Sequence, residues 1–165
     1  MKKLIPIFLL ISYSIFAEEV EIDKAFTVAE NFLSSELDID DAELSLIETE
    51  NILLSDSTET PAYFVFSIND AGFIIISGQD IVTPVLGYSS SDPYSVTNKP
   101  PAFVSWMNQY AVRIMELLEN NAVQDADNEM RWNRLLNGLS LVQFRSMMAV
   151  DNLLNTEWNQ WPYYN

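Results

Sequence analysis

Between Tyr63 and Ser89 the chain reads YFVFSINDAGFIIISGQDIVTPVLGYS, and no other stretch constrains the fold as tightly. Tyr63 to Ile68 is rich in aromatic and β-branched residues, which suit a pleated, half-buried surface. Asn69, Asp70, Ala71 and Gly72 follow, and these tolerate positive φ or bond back to their own backbone, so a tight turn is expected. Phe73 to Ser77 is a second run, too short and too β-branched for a buried helix. Gly78, Gln79 and Asp80 make a second turn. Val82 to Tyr88 reads as a third strand, with Pro84 pushing it toward a sheet edge. Two hairpins in succession form an antiparallel meander.

The flanks supply helices and a fourth strand. Ile22 to Leu37 places Ala25, Val28, Ala29, Phe32 and Leu33 on one helical face. Glu43 to Leu54 reads as a strand with Leu44 and Leu46 alternating against polar residues, although Ile47 interrupts the alternation. Ser55 to Pro61 reads as a polar loop, and Ser89 to Pro101 as another. Pro100 and Pro101 prepare a helix entry. Val104, Met107, Ala111, Ile114, Met115 and Leu118 mark the apolar face of a helix ending near Asn120. After a polar break, Glu129 to Leu136 is expected to add one or two helical turns, stopped by Asn137 and Gly138. Ser140 to Val150 reads as an exposed linker. The fold class is α+β: an antiparallel four-stranded sheet with helices packed on one face. The expected core draws on Phe32, Leu33, Phe64, Phe66, Phe73, Ile75, Val85, Met107, Ile114 and Leu118.

Composition removes whole classes of chemistry. Among 165 residues there is no cysteine and no histidine. A papain-like nucleophile and base therefore cannot be assembled, nor a Ser-His-Asp triad. Disulfides and the usual zinc sites are closed as well. Asp38, Asp40 and Asp41 lack the glycine and distal glutamate of a calcium loop and read as a solvated acidic loop. The other acids sit in loops and on helix faces, which argues against a cleft with paired carboxylates.

Met1 to Ala17 reads as a secretory leader: Lys2 and Lys3, an apolar centre from Leu4 to Ile11, and a small residue at the cleavage position. The apolar run is short for a membrane span. No stable membrane anchor is expected, and the chain is expected to be secreted or periplasmic in a bacterium. Two of the 8 basic residues leave with the leader and none of the 24 acidic ones, so the formal net charge moves from −16 to −18. Nucleic acid is an improbable partner for such a chain.

GFIIISGQD followed by TPVLGYS resembles the prodomain of the streptopain (C10) family of papain-like cysteine proteases, and the separate inhibitors related to it. Leu153 to Gln160, with Pro162 to Asn165, resembles the junction at which that family's mature enzyme begins. The resemblance implies residues 1–17 as leader, 18–138 as an inhibitory prodomain, and 139–165 as linker and junction. It implies a C10 protease partner, in cis or in trans, a steric block of the cleft, no cofactor, and a monomer when free. The protease-facing residues it offers are Asn69, Asp70, Gly72, Gly78, Asp80, Tyr88 and Ser89. Asn69 and Tyr88 also stand as candidates for holding the protease's dyad out of line. The glycines fit turn and bulge geometry equally well. Two other readings stay open at this point: the leading piece of a zymogen, and an acidic secreted binding module with no protease link.

Overall fold

The structure, a computed structural model, describes residues 18–142. The expected leader, the linker beyond Val142 and the junction from Leu153 to Asn165 lie outside the described residues. Seven elements follow in order: α1 (Ile22–Leu37), β1 (Leu44–Leu53), β2 (Glu59–Ile68), β3 (Gly72–Ser77), β4 (Val85–Ser89), α2 (Pro101–Glu119) and α3 (Ala126–Leu136). The strands form one antiparallel sheet in the order β1-β2-β3-β4, the expected meander with a fourth strand at its edge.

Helix α1 buries Ala25, Val28, Ala29, Phe32 and Leu33, the five residues its periodicity marks. It stops where Asp38 turns left-handed at φ 54° and returns its N–H to the Leu33 carbonyl. Aspartate tolerates that conformation better than a bulky residue would. Strand β1 carries a register shift between Leu46 and Glu48. The inserted Ile47 therefore leaves the alternation without leaving the strand, as a bulge allows. Strand β2 starts at Glu59, earlier than expected, and takes in Pro61 beside a second register shift, between Glu50 and Asn51. Proline is tolerated at such an irregularity because no regular ladder N–H is required there. Strand β4 begins at Val85 rather than Val82, and the Pro84 carbonyl accepts from Ser77 N–H at 2.9 Å.

The helices occupy both faces of the sheet, not one. Phe64, Phe66, Ile68, Ile74 and Ile76 point to α1 and α3. Tyr63, Val65, Ile75 and Leu86 point the other way, to Met107 and Ile114 of α2. The reason is visible in β2 and β3: their apolar runs are continuous. A strand wetted on one side alternates, and a strand covered on both sides does not. On α2 the buried face is Met107 and Ile114 flanked by Phe103, Tyr110, Ala111 and Leu118, while Val104 is 48% exposed. Phe73, Val85 and Leu118 pack against the cores while only partly buried.

Helix α3 is longer than expected because it starts at Ala126, capped by the Asp125 carboxylate, which accepts from Asn128 N–H at 2.8 Å. An aspartate cap satisfies one of the orphan amides of the first turn. Trp132 and Leu135 enter the core beneath α1. The chain from Ser140 to Val142 is docked rather than a free linker. Leu141 is 8% exposed, and its N–H donates to the Glu36 carboxylate.

Candidate functional site

The hairpins sort the site candidates to opposite ends of the sheet. Leu44 pairs with Ile68, Ile68 with Gly72, and Phe73 with Ser89. The α1–β1 loop, the β2–β3 turn and the exit of β4 thus share one end. Five of the seven candidates gather there: Asn69, Asp70, Gly72, Tyr88 and Ser89. Gly78 and Asp80 sit at the other end and are buried.

At the open end, Asn69 and Asp70 are left-handed, at φ 50° and 54°, and Ala71 N–H closes the turn on the Ile68 carbonyl at 2.9 Å. Positive φ at two successive residues is the primed turn that matches the twist of hairpin strands, here within a three-residue connection between the paired Ile68 and Gly72. Asn69 also joins two segments: its side-chain oxygen accepts from Glu43 N–H at 2.7 Å, and its own N–H donates to the Glu43 carbonyl at 2.9 Å. Gly72 is there because β4 runs close by; a Cβ would lie 2.3 Å from the Ser89 carbonyl oxygen. Tyr88 leans edge-on against Phe32 with ring centres 5.2 Å apart, yet stays 48% exposed. Ser89 Oγ accepts from Asp92 N–H at 3.1 Å and starts the loop to α2.

That loop is pinned at its middle. Tyr94 OH donates to Glu48 at 2.6 Å, and Lys99 Nζ reaches both Glu48 oxygens at 2.8 and 2.9 Å. The Tyr94 ring packs on Phe73 and Phe103, with Lys99 Nζ above it at 5.2 Å. Burial pushes the Glu48 carboxyl up, but the bonds from Lys99 and Tyr94 together outweigh it and hold its pKa below the usual value. Burial, then the bond to Glu48, push the Tyr94 phenol the other way, upward. Residues Ser90 to Pro93 and Ser95 to Asn98 stand exposed on either side of this anchor. The open end also carries exposed Asp38, Asp40, Asp41, Glu43, Asp70 and Asp92. Sequence reasoning missed the Glu48–Tyr94–Lys99 anchor, since its partners lie 46 and 51 residues apart and leave no local pattern.

The other end is braced. Gly78 N–H donates to the Ala62 carbonyl at 2.8 Å, and a Cβ on it would lie 2.4 Å from the Pro61 carbonyl oxygen. Gln79, 2% exposed, donates to Thr60 Oγ1 at 2.8 Å and to the Pro61 carbonyl at 2.9 Å. Three side chains arriving with α3 each hold one carbonyl of the β3–β4 connection: Gln124 on Asp80 at 2.7 Å, Asn128 on Ile81 at 3.0 Å and Trp132 on Val82 at 2.8 Å. Gly78 and Asp80 thus serve the frame, and neither is presented on the surface. Among the described residues, no group of three or more metal-ligating side chains could hold an ion.

The arrangement is thus one of hairpin turns and an anchored loop gathered at one end of the sheet. Residues 17–114 match the family model of the Spi protease inhibitor, and the chain belongs to that family. The match takes in α1, the whole sheet and the first part of α2; α3 lies beyond it. No curated protein and no solved structure matches the chain. Membership makes a protease the class of partner.

Proposed function

We propose that the protein is an exported inhibitor of a streptopain-type (C10) papain-like cysteine protease. It would leave the cytoplasm on the Met1–Ala17 leader and bind one to one as a monomer. The open end would sit across the protease cleft, the Asn69–Gly72 turn and the Ser89–Asn98 loop keeping substrate and water out. The observation that carries this reading is the collection of five candidate residues and an anchored loop at one exposed end of an inhibitor-family domain. The likeness of GFIIISGQD and TPVLGYS to C10 prodomains selects the protease class. Nothing in the block requires a cofactor.

The test is a titration of purified protein beginning at Glu18 against an active C10 protease, followed by release of a peptide substrate. Stoichiometric loss of activity with the added chain left intact supports the reading. Unchanged activity, or rapid digestion of the added chain, overturns it. A second reading has the same domain acting in cis ahead of a catalytic domain. Leu153 to Asn165 favours it through its likeness to the family's junction. Reading the gene beyond Asn165 for a cysteine and a histidine separates the two.

A further inference from the structure

Glu18 and Asp80 are closed onto each other at the braced end. Glu18 N–H donates to Asp80 Oδ1 at 2.8 Å, and Asp80 N–H donates to the Glu18 carbonyl at 3.1 Å. Two residues on, Val20 N–H donates to the Gly78 carbonyl at 2.9 Å, and Val20 is 1% exposed. The chain is therefore held in register as it enters the fold. Asp80 itself is 8% exposed. Burial pushes its carboxyl up, and the Glu18 amide draws it back only in part. A buried carboxylate answered only by backbone amides, of Glu18 and of Asp80 itself, and by a lysine at a distance is poorly compensated, and a cation on it would be worth more than at the surface.

The charged groups around it do not supply one directly. Lys24 of α1 acts on Asp80 from a distance, but its Nζ lies 3.9 Å from the Glu18 carboxylate and 5.6 Å from the centre of the Trp132 ring. The Glu18 carboxylate itself disfavours the charge on Asp80. Glu19 is turned to Thr60 Oγ1 at 2.7 Å. From α3 the nearest contributor is neutral Gln124, on the Asp80 carbonyl, while the Asp125 carboxylate holds Asn128. Among the described residues no ion pair to Asp80 forms within 4.0 Å.

Glu18 is also the residue that becomes first when the leader is removed after Ala17. We infer that this removal completes a maturation latch, in which the new α-ammonium of Glu18 pairs with the buried Asp80 carboxylate. Water adds across the Ala17–Glu18 peptide bond under an export signal peptidase. The carboxylate stays on the leader, and the freed amine of Glu18 takes up a proton. The nitrogen already stands at hydrogen-bond distance from Oδ1, so no rearrangement is needed. The precursor has a neutral amide at that place and lacks the ion pair. Processing at this bond thus stiffens the N-terminal segment and the β3–β4 connection together. Processing at any other bond does not.

The inference rests on the proposed leader cleavage, and the experiment separates the two. The N-terminus of the exported protein is read by mass spectrometry. In parallel, thermal unfolding is followed from pH 6 to 10 for chains starting at Glu18, for the same chain acetylated on Glu18, and for one extended by two alanines. An amine whose folded pKa is raised contributes stability below its unfolded value, near 7.7–8.0, and loses it as pH rises through the folded value. The Glu18 chain should melt about 3–6 °C above the other two at pH 7 and converge with them at pH 10. Its α-amine should titrate above the free range, and Asp80→Asn should abolish both effects. Coincident melting curves with an ordinary amine titration overturn the latch, whatever the exported N-terminus. A mature chain that starts elsewhere than Glu18 overturns the inference through its premise. Neither result touches protease inhibition, which the titration above judges alone.

Discussion

The two ends of the sheet are built from the same materials and do opposite things. Both are made of hairpin turns with glycine, asparagine or aspartate. At the open end the side chains of Asp70, Tyr88 and Ser90 face solvent, and the turn is tied down chiefly through its own backbone and Asn69. At the braced end nearly every polar group of Ser77 to Val82 is spent inward, on Glu18, Thr60, Pro61, Gln124, Asn128 and Trp132. Presentation and support have been separated along one strand direction. A turn motif alone therefore does not tell whether its polar groups face solvent or the frame; the partners that reach it decide.

If the braced end is support, damage there should unfold the domain. Trp132→Ala should have the largest effect, about 3–5 kcal/mol, because it empties a buried site and leaves the Val82 carbonyl without its donor. Urea unfolding measures it, and a loss below 1 kcal/mol would show that α3 is an accessory rather than a brace. Gly78→Ala should follow at about 1–3 kcal/mol, since the added methyl meets Pro61 backbone rather than a side chain that could swing aside. The folded fraction of that variant should still bind the protease with unchanged affinity. Weakened binding by fully folded protein would move Gly78 back to the contact surface.

How much of this was legible in the sequence follows the range of the interactions. The face of α1 was read residue by residue, because a helix records its environment in its own periodicity. The meander was equally plain from its turns. The sheet's two-sided burial was also written in FVF and FIIIS, whose unbroken apolar runs contradict a single covered face. The extent of α3 was under-read because its start depends on a cap, Asp125, inside a stretch that looks like loop. The brace itself left no trace. Gln124, Asn128 and Trp132 find carbonyls 44 to 50 residues away, and nothing near them in sequence announces it. The candidate site divided along the same line: Asn69, Asp70, Gly72, Tyr88 and Ser89 share the open end, while Gly78 and Asp80 were drawn from turn chemistry that serves the opposite one.

The open end should tolerate change better. Asn69→Ala removes the bond to Glu43 N–H and places alanine at φ 50°, which should cost about 1 kcal/mol without unfolding the domain. Hydrogen exchange should then report loosening confined to Glu43 and the β2–β3 turn; loss of protection in α3 would break the separation of the two ends. The Glu48 anchor should contribute less, under about 1 kcal/mol for a partly exposed ion pair. Its sign is fixed by the depressed carboxyl pKa: the contribution is present above the unfolded glutamate value, near 4.3, and is lost as pH falls through the folded one. Lys99→Met should therefore lose that contribution across the neutral region and converge with the unaltered protein as pH falls through the folded value, so that the acid limb flattens. An unaltered acid limb would remove Glu48 from the account.

Charge at the open end should have the smallest effect on stability and act on rate instead. Asp41 and Asp70 both stand at φ 54° and both face solvent, so asparagine can replace them without backbone strain. Asp41→Asn combined with Asp70→Asn should change stability by less than about 0.5 kcal/mol. Against a protease with a basic rim, stopped-flow association should slow a few-fold at low salt, with dissociation unaffected. The difference should fade as salt shortens the screening length to about 3 Å at 1 M. Asp70→Asn alone set against Glu59→Gln supplies the comparison: each removes one negative charge, the second beside the β1–β2 turn at the far end, where Asn51 keeps its oxygen partner. Equal slowing by the two changes would mean that only net charge steers the encounter. Slowing by the first alone would mean that the protease meets the end of the sheet where the acids are gathered.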